Sequence, residues 1–405
     1  MAASSTAVVE LGFAEPPAQP LTSEKFPSKI GGKPAWLNPK HILSADKVEC
    51  GVCKKPMILL LQLYTPEDYP PEAFHRMIYV FCCKNGSCHK LSWRESFKVY
   101  RSQLSRDNPY WPVPPSTSSE ELEDSNQENI ASELAPDNQL SDRNQEKLQN
   151  DDLKQIHQKL NTIQCIVCGL LGSKTCGKCN IVRYCSKAHQ IEHWITGQHK
   201  TYCSSIDLSS NPTENDDKLC QDTILFPEYE IVNESETDRD GGGEDDENRE
   251  NEISQENSNS RALVPVGDET YEESQVNVDK AFLQFQRKVE LNPDQVLRYA
   301  RVEYEADRNP DPLWVSEHEK PDLQQDIPAC PYCSNPRTFE FQILSTLLNY
   351  LKIDHTKRDS LDWGTLLVYS CKGNCYIDDE KNLHYLEEYI WRQNFSEEGV
   401  QLDQR

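Results

Sequence analysis

The sequence predicts a mainly β protein of the α+β class, in which two cysteine-rich halves form one composite β domain. Three observations lead to this prediction: eight cysteine and histidine residues lie in one short segment, a pattern of cysteines and strands occurs twice, and two long stretches are strongly acidic. We expect five segments: an N-terminal half (1–114), a disordered acidic linker (115–152), an inserted metal-binding finger (153–204), a second disordered acidic linker (205–275) and a C-terminal half (276–405).

The segment from Cys165 to Cys203 contains eight metal-type ligands in the order C-x2-C-x7-C-x2-C-x5-C-x3-H-x9-H-x3-C. Zinc(II) takes four tetrahedral sulfur or nitrogen ligands, and two cysteines separated by two residues can both bind one ion from a tight turn. Because the first two cysteine pairs are too close to share an ion comfortably, we expect alternate pairs to combine. The predicted ligands are Cys165, Cys168, Cys185 and His189 for zinc 1, and Cys176, Cys179, His199 and Cys203 for zinc 2.

Metal binding is a better explanation of these cysteines than disulfide formation. The amino-terminal residues lack the charged and apolar pattern of a secretory signal, so we expect a reducing compartment. A segment of about forty residues buries too little apolar surface to fold alone, so metal would supply most of its folding free energy. Gly169, Gly172 and Gly177 lie between the ligands, where tight turns often need a positive φ.

Charge is distributed unevenly along the 405 residues, whose net charge is −25. Residues 116–152 contain eleven acidic against two basic residues, and residues 228–256 contain thirteen against two. Such polar, charged stretches do not form a packed core, which predicts disordered linkers. The finger region 153–203 is basic instead, with seven basic residues against one acidic residue. Acidic flanks disfavour a nucleic-acid partner and favour a basic protein.

The pattern that occurs twice consists of a C-x2-C pair, two apolar runs and a further pair of cysteines. The apolar runs cover 57–64 and 77–81 in the first copy, and 338–344 and 365–369 in the second. Antiparallel pairing places the start of the first strand beside the end of the second, so all four cysteines meet at one end of the sheet. The predicted ligands are Cys50, Cys53, Cys83 and Cys88 for zinc 3, and Cys330, Cys333, Cys371 and Cys375 for zinc 4.

Two cysteines are predicted to have no ligand role. Aligning the two copies places Cys83 on a ligand position and Cys82 opposite Ser370, so we expect Cys82 to be a small buried residue. Cys220 lies in a predicted linker. A C-x2-C pair can also be a redox motif, but that motif needs a helix starting at the pair, and β-type runs follow both pairs.

Two arrangements of the copies are open: two small zinc-stapled sheets, or one domain whose halves pack together. Residues 57–63 are apolar at almost every position, which favours burial on both faces and therefore the single domain. Helical spacing of Phe282, Phe285 and Val289 predicts a helix over 279–289. Asn292-Pro293 predicts the cap and first turn of another helix at 296–300. Core or domain-edge packing is expected for Trp36, Trp93, Trp111, Trp314, Trp363 and Trp391.

The finger resembles a MYND-type zinc finger in Arg183 to Gln190, in His193-Trp194 and in His199 to Cys203. This resemblance implies that the finger binds proteins, commonly short proline-containing peptides. His189 stands where such fingers commonly have cysteine, and imidazole serves zinc equally well.

The whole chain resembles the programmed cell death protein 2 family in the order of its sequence blocks as well as in their content. The resemblance covers nearly everything except the acidic stretches, and it implies a split β domain with the MYND finger inserted. It also implies a function as a non-catalytic chaperone or adaptor that binds a newly made protein of the small (40S) ribosomal subunit and supports ribosome biogenesis. The blocks are Val9 to Phe13, Gly31 to Leu37, Phe74 to Arg76, Phe81 to Cys83, Gln295 to Tyr299, Phe339 to Gln342, Leu347 to Leu351 and Asp362 to Gly364.

Two other functions are weighed against this one. The first is a nuclear regulator whose MYND finger recruits co-repressors or touches DNA, although no base-reading recognition helix is evident. The second is an enzyme, which we do not expect because each predicted zinc has four protein ligands and no nucleophile motif or phosphate loop is present. No apolar stretch is long enough for a membrane span, and we expect the protein in the cytoplasm and nucleus.

Overall fold

The computed structural model describes residues 9–111, 163–204, 223–236, 279–301, 310–377 and 384–395. The predicted linker 115–152 and Cys220 lie outside them. The strands are β1 (Glu10–Glu15), β2 (Lys29–Ile30), β3 (Ile58–Tyr64), β4 (His75–Cys82), β5 (Phe97–Leu104), β6 (Lys174–Thr175), β7 (Arg183–Tyr184), β8 (Tyr229–Ser235), β9 (Gln295–Tyr299), β10 (Arg337–Leu344), β11 (Thr365–Cys371) and β12 (Leu386–Gln393). The helices are α1 (Gly86–Ser92), α2 (Lys187–Ile195), α3 (His199–Tyr202) and α4 (Lys280–Leu291).

Ten strands form one closed antiparallel barrel in the order β1-β8-β2-β3-β4-β5-β12-β11-β10-β9, and β9 pairs back onto β1. The N- and C-terminal halves join directly where β5 pairs with β12, with Arg101 opposite Leu386. β6 and β7 form a separate two-stranded sheet in the finger. The prediction of one composite β domain is therefore confirmed. Each of the ten strands therefore has a pairing partner on both sides within the described residues.

The barrel consists of two similar sets of five strands, β1–β5 and β8–β12. The first strand of each set pairs with strands of the other set. β8 lies between β1 and β2, and β1 lies between β8 and β9. A register irregularity occurs at the same point of both sets, between Leu59 and Leu61 and between Phe339 and Phe341. Because the sets exchange their first strands, neither half can complete its sheet without the other.

Two matching glutamines anchor the loops that precede the C-x2-C pairs. The buried Gln62 accepts from the Ala35 amide at 2.8 Å and donates to the Ala35 carbonyl at 3.3 Å. Gln342 does the same with Leu313, at 2.7 Å and 3.0 Å. The anchored segments are themselves alike, Pro-Ala-Trp and Pro-Leu-Trp. The internal repeat therefore extends further upstream than the cysteine pattern indicates.

The prediction of a linker over 205–275 is wrong for residues 223–236. Tyr229–Ser235 form β8, which pairs with β1 and β2, and Leu225 and Phe226 are buried beside it. Ile231 is buried, whereas Glu230, Val232 and Glu234 share the opposite face, and the strand is exposed from Val232 to Ser235. The exposed glutamates dominate a charge count over a long window and conceal the buried side of the strand.

Helix α4 confirms the predicted helix over 279–289, and the Asp279 side chain accepts from the Phe282 amide as its N-cap. The second predicted helix is wrong, because Gln295–Tyr299 form β9. Asn292 ends α4 instead of starting another helix. Pairing with β1 and β10 buries Gln295 to Arg298, and that tertiary environment outweighs the local capping signal.

The core runs through the barrel and contains the expected tryptophans. Trp36 and Trp363 are fully buried, Trp111 and Trp391 are buried, and Trp93 and Trp314 are partly buried at the edge. Over the described part of the chain, the helices are too short or too polar to cross a lipid bilayer.

Candidate metal centres

The finger folds around two clusters of candidate ligands. Their ligand atoms lie within 4.8 Å of one another in each cluster. His189 lies in the first turn of α2, and His199 begins α3. The structure brings together the alternate pairs expected from the spacing: cluster 1 is Cys165, Cys168, Cys185 and His189, and cluster 2 is Cys176, Cys179, His199 and Cys203.

The two histidines present different ring nitrogens to their clusters. His189 Nδ1 lies 3.1 Å from Cys185 Sγ, and His199 Nε2 lies 3.6 Å from Cys179 Sγ. Both side chains are buried, which fixes the orientation of each ring.

His193 supports cluster 2 without belonging to it, a role that the ligand spacing does not predict. Its ring is buried and stacks on His199 with the ring centres 4.9 Å apart. Tyr184 Oη lies 2.9 Å from His193 Nδ1, and Tyr202 Oη lies 2.9 Å from His193 Nε2. Its position four residues after His189, on the same helix face, is the signal that could have identified it.

Clusters 3 and 4 lie at equivalent ends of the two halves. The pairing of Ile58 with Cys82 and of Arg337 with Cys371 brings the start of one strand beside the end of the next, as the antiparallel argument predicts. Cluster 3 consists of Cys50, Cys53, Cys83 and Cys88, and cluster 4 of Cys330, Cys333, Cys371 and Cys375.

Cys82 points away from cluster 3 and is fully buried. Its Sγ lies 3.3 Å from the Cys83 carbonyl oxygen and 3.7 Å from His89 Nε2. Burial raises the pKa of the Cys82 thiol, so the neutral form is favoured. The structure therefore places Cys82 as an apolar filler beside the cluster.

All four C-x2-C turns share one backbone geometry. In each, the amide of the residue after the second cysteine donates to the carbonyl of the first cysteine at 2.9 Å. That residue has a positive φ in every case, and the four residues are Lys54, Gly169, Asn180 and Ser334. The expectation of positive φ at Gly172 and Gly177 is wrong, since among these three glycines only Gly169 adopts it. A positive φ is therefore required at the residue that follows each C-x2-C pair, whether or not that residue is glycine.

The clusters fit zinc in both geometry and chemistry. Sulfurs at about 2.3 Å from a tetrahedral ion lie about 3.8 Å apart. The nearest sulfur pairs lie at 3.7 Å for Cys53 and Cys83, 3.5 Å for Cys168 and Cys185, 3.8 Å for Cys176 and Cys203, and 3.5 Å for Cys333 and Cys371. All fifteen described cysteines are free, so no disulfide competes for these sulfurs within the described residues. The finger and its Cys and His clusters indicate zinc binding.

The finger packs against the barrel next to cluster 1. Trp36 Nε1 donates to the Gly169 carbonyl at 2.8 Å, and the Leu171 amide donates to the Leu43 carbonyl at 3.0 Å. A Cβ on Gly169 would lie 3.1 Å from Lys33 Cβ, which leaves little room for a side chain there. Cluster 1 and the N-terminal half therefore share one apolar core.

Comparison with known proteins agrees with this organisation. The family profile for the N-terminal domain of programmed cell death protein 2 matches residues 8–118, that for its C-terminal domain matches residues 279–394, and the MYND finger profile matches residues 165–203. No solved structure matches the chain.

Full-length relatives extend the match. Programmed cell death protein 2 of Bos taurus is 34% identical over 98% of this chain and 99% of the bovine protein, and that of Mus musculus is 34% identical over 98% and 99%. A protein of Schizosaccharomyces pombe named probable 20S rRNA accumulation protein 4 is 25% identical over 90% of this chain and 92% of its own length. These names and domains are non-enzymatic in kind. With its two barrel halves and inserted finger, this chain belongs to the programmed cell death protein 2 family.

Proposed function

We propose that this protein is a non-catalytic chaperone or adaptor that binds a newly made protein of the small (40S) ribosomal subunit and supports ribosome biogenesis. The name of the S. pombe relative, which refers to 20S rRNA accumulation, supports a role connected with the ribosome. The specific client is part of the proposal. The proposal rests further on the apolar and acidic residues that the barrel exposes on β1 and β8.

The observation that carries the proposal is the outward face of β1 and β8. Phe13 and Val232 lie opposite each other on this face, and Val232 is 37% exposed. Glu15 lies opposite Glu230, and Glu234 continues the same face. Among the described residues, these three carboxylates form no ion pair. We name this face, with Phe13, Val232, Glu15, Glu230 and Glu234, the acidic ribbon.

The acidic ribbon suits a basic partner that also has apolar side chains. Like charges opposite each other on paired strands destabilise the sheet, so Glu15 and Glu230 gain from a cation that lies between them. Ribosomal proteins are basic as a class, and the chain has a net charge of −25. Complementary charge increases the association rate and disfavours wrong partners.

We further propose that zinc is structural at all four clusters, with the ligands named above. Each cluster offers four protein ligands, whereas a catalytic zinc typically has three and keeps one position for water or substrate. The metal would stabilise the fold when bound. The chain's own residues would do the binding of the client.

Direct binding of purified small-subunit ribosomal proteins, tested one by one, checks the proposal. The variant Glu15→Gln/Glu230→Gln/Glu234→Gln should weaken binding of the client roughly tenfold or more and reduce the salt dependence of its association. The matched control is Asp46→Asn/Asp68→Asn/Glu290→Gln, which removes the same charge from exposed positions elsewhere. The proposal fails if none of the small-subunit proteins binds. Equal weakening by both variants would show unspecific charge attraction instead.

A second candidate function rests on a groove in the finger. A cavity of about 290 Å³ next to α2 is lined by Cys176, Gly177, Lys178, Gln190, Ile191 and Trp194. Ile191 is 47% exposed. An apolar groove with an aromatic wall fits a proline-containing peptide, and a nuclear co-repressor is one source of such a peptide.

Substitution in this groove separates the two functions. Trp194→Ala should abolish binding of a proline-containing peptide and leave binding of the ribosomal client unchanged. The control is Ile195→Ala, an exposed residue of α2 that does not line the groove. Loss of client binding by Trp194→Ala would favour the finger as the client site.

We also propose that the protein works in the cytoplasm and the nucleus, where reducing conditions keep the ligand cysteines as thiols available to metal. Imaging of the tagged full chain in living cells tests this, and retention in the secretory pathway would contradict it.

A further inference from the structure

Arg101 belongs to the N-terminal half but contacts a candidate metal ligand of the C-terminal half. It lies in β5, and its side chain is 1% exposed. Its Nη1 donates to the Cys375 carbonyl at 3.0 Å, and its Nη2 lies 3.5 Å from Cys375 Sγ. A residue of β5 therefore reaches cluster 4 across the seam where β5 pairs with β12.

Glu388 completes this contact from the other side of the seam. Its Oε1 accepts from Arg101 Nε at 2.7 Å, and its Oε2 accepts from the Cys371 backbone amide at 3.1 Å. Arg337 Nε donates to the same Oε2 at 3.1 Å. The two downstream ligands of cluster 4, Cys371 and Cys375, are thus both held by one ion pair that spans the seam.

The charge of an occupied four-cysteine site explains why an arginine at this position matters. Four thiolates around one zinc ion have a net charge of −2, and burying uncompensated charge is costly. A guanidinium that donates to a thiolate and to the carbonyl of the same residue offsets that cost and fixes the orientation of the ligand. Lysine offers a point charge but not the planar fork that makes both contacts at once.

Cluster 3 has a weaker counterpart of this arrangement. Arg392 of β12, in the C-terminal half, donates from Nη1 to the His89 carbonyl in α1 at 3.5 Å. Its Nε donates to Asn394 at 2.9 Å instead of to a carboxylate paired with the cluster. The described contacts of Arg392 include no sulfur of cluster 3, so it provides a natural control for Arg101.

From these contacts we infer that Arg101 is a positioning residue for zinc at cluster 4, and that retention of this zinc depends on closure of the seam between β5 and β12. The N-terminal half thereby controls a metal site of the C-terminal half. This inference goes beyond the proposed client binding and does not depend on it.

Zinc release from the purified, zinc-loaded full chain tests the inference. Arg101→Gln should lower zinc affinity at one site roughly 10- to 100-fold, the range measured when an outer partner of a metal ligand is removed. A chromophoric chelator counts the released zinc. Thiol alkylation followed by peptide mass spectrometry should locate the loss at Cys330, Cys333, Cys371 and Cys375.

Two further variants keep the test decisive. Arg101→Lys retains the charge without the fork and should give a smaller loss at the same four cysteines, even if Arg101→Gln folds poorly. Arg392→Gln should release zinc from every cluster at the wild-type rate. The inference is overturned if the Arg101 variants lower the unfolding midpoint while cluster 4 resists chelation and alkylation as in wild type. Arg101 would then stabilise the seam alone.

Discussion

Arg76 and Glu340 form a bidentate ion pair in which both side chains are fully buried, although 264 residues separate them. Arg76 Nη1 lies 2.5 Å from Glu340 Oε1, and Nη2 lies 2.8 Å from Oε2. Glu340→Gln leaves the Arg76 guanidinium without its buried counterion, and we expect a loss of about 3–5 kcal/mol in the free energy of unfolding. Urea unfolding at neutral pH measures it.

The control for this prediction replaces both partners. Arg76→Met/Glu340→Leu removes the charges together, and the buried Arg301, which also pairs with Glu340, keeps its ion pair with Glu67. No buried charge is then left unpaired, and the double variant should be more stable than either single variant. If the double variant loses the sum of the two single losses, the pair does not act as a unit.

The same pair predicts a dependence of stability on pH. Desolvation alone would raise the pKa of Glu340, but the guanidinium of Arg76, together with that of Arg301, outweighs it and lowers the pKa to about 2, from an ordinary value of 4.5. A carboxyl with a lower pKa in the folded protein contributes stability that is complete above the unfolded pKa and is lost as pH falls through the folded pKa.

The stability difference between wild type and Glu340→Gln should therefore shrink as pH falls from 4.5 toward 2. Comparing the two proteins removes the effect of zinc loss in acid, which both share. Urea unfolding at several pH values gives the difference, and a difference that stays constant over this window would contradict the assignment.

Zinc content distinguishes the two adjacent cysteines at the end of β4. Cys83→Ala should reduce the metal content by one zinc per chain, because Cys83 Sγ belongs to cluster 3. Cys82→Ala should keep all the zinc, because Cys82 lies outside the cluster and acts as a small apolar residue. Elemental analysis of both purified variants provides the measurement. Equal zinc loss in the two variants would show that the alignment of the copies assigns the wrong cysteine.

Replacement by alanine should have different effects at Gly31 and at Gly177, because the space around an added Cβ differs at the two positions. Gly31 has φ +60°, and a Cβ there would lie 2.1 Å from the Pro227 carbonyl oxygen at the junction of β2 and β8. A Cβ on Gly177 would meet no atom of the described residues within 4 Å. Gly31→Ala should therefore destabilise the protein by at least about 1–3 kcal/mol, whereas Gly177→Ala should change stability little. Thermal unfolding compares them, and a neutral Gly31→Ala would argue against the docked position of β8.

Local patterns predicted the parts of the fold that depend on neighbours in the sequence. The spacing of Cys165 and Cys168, and of Cys176 and Cys179, predicted the pairs that the structure brings together in the finger. The apolar run at 57–63 correctly indicated a strand buried on both faces. Helical spacing from Phe282 to Val289 correctly predicted α4. Each of these signals lies within one element or one turn.

Other features arose from contacts that no local pattern records. A helix was predicted at 296–300 because Asn292-Pro293 resembles a helix cap. Burial between β1 and β10 makes Gln295–Tyr299 a strand instead. The residues of β8 were predicted to belong to an acidic linker, because the exposed glutamates of this strand dominate a count of charge. A strand with one exposed face is recognised only when its partners are known.

The sequence by itself was enough to predict the candidate metal ligands, the turns that hold them and the presence of two similar halves. These features depend on residue type and on short spacings along the chain. Tertiary structure decided that the halves exchange their first strands, that Arg76 meets Glu340 and that Arg101 reaches Cys375. These contacts join residues about 200 or more positions apart, and their energy appears only once the barrel closes and excludes water from them.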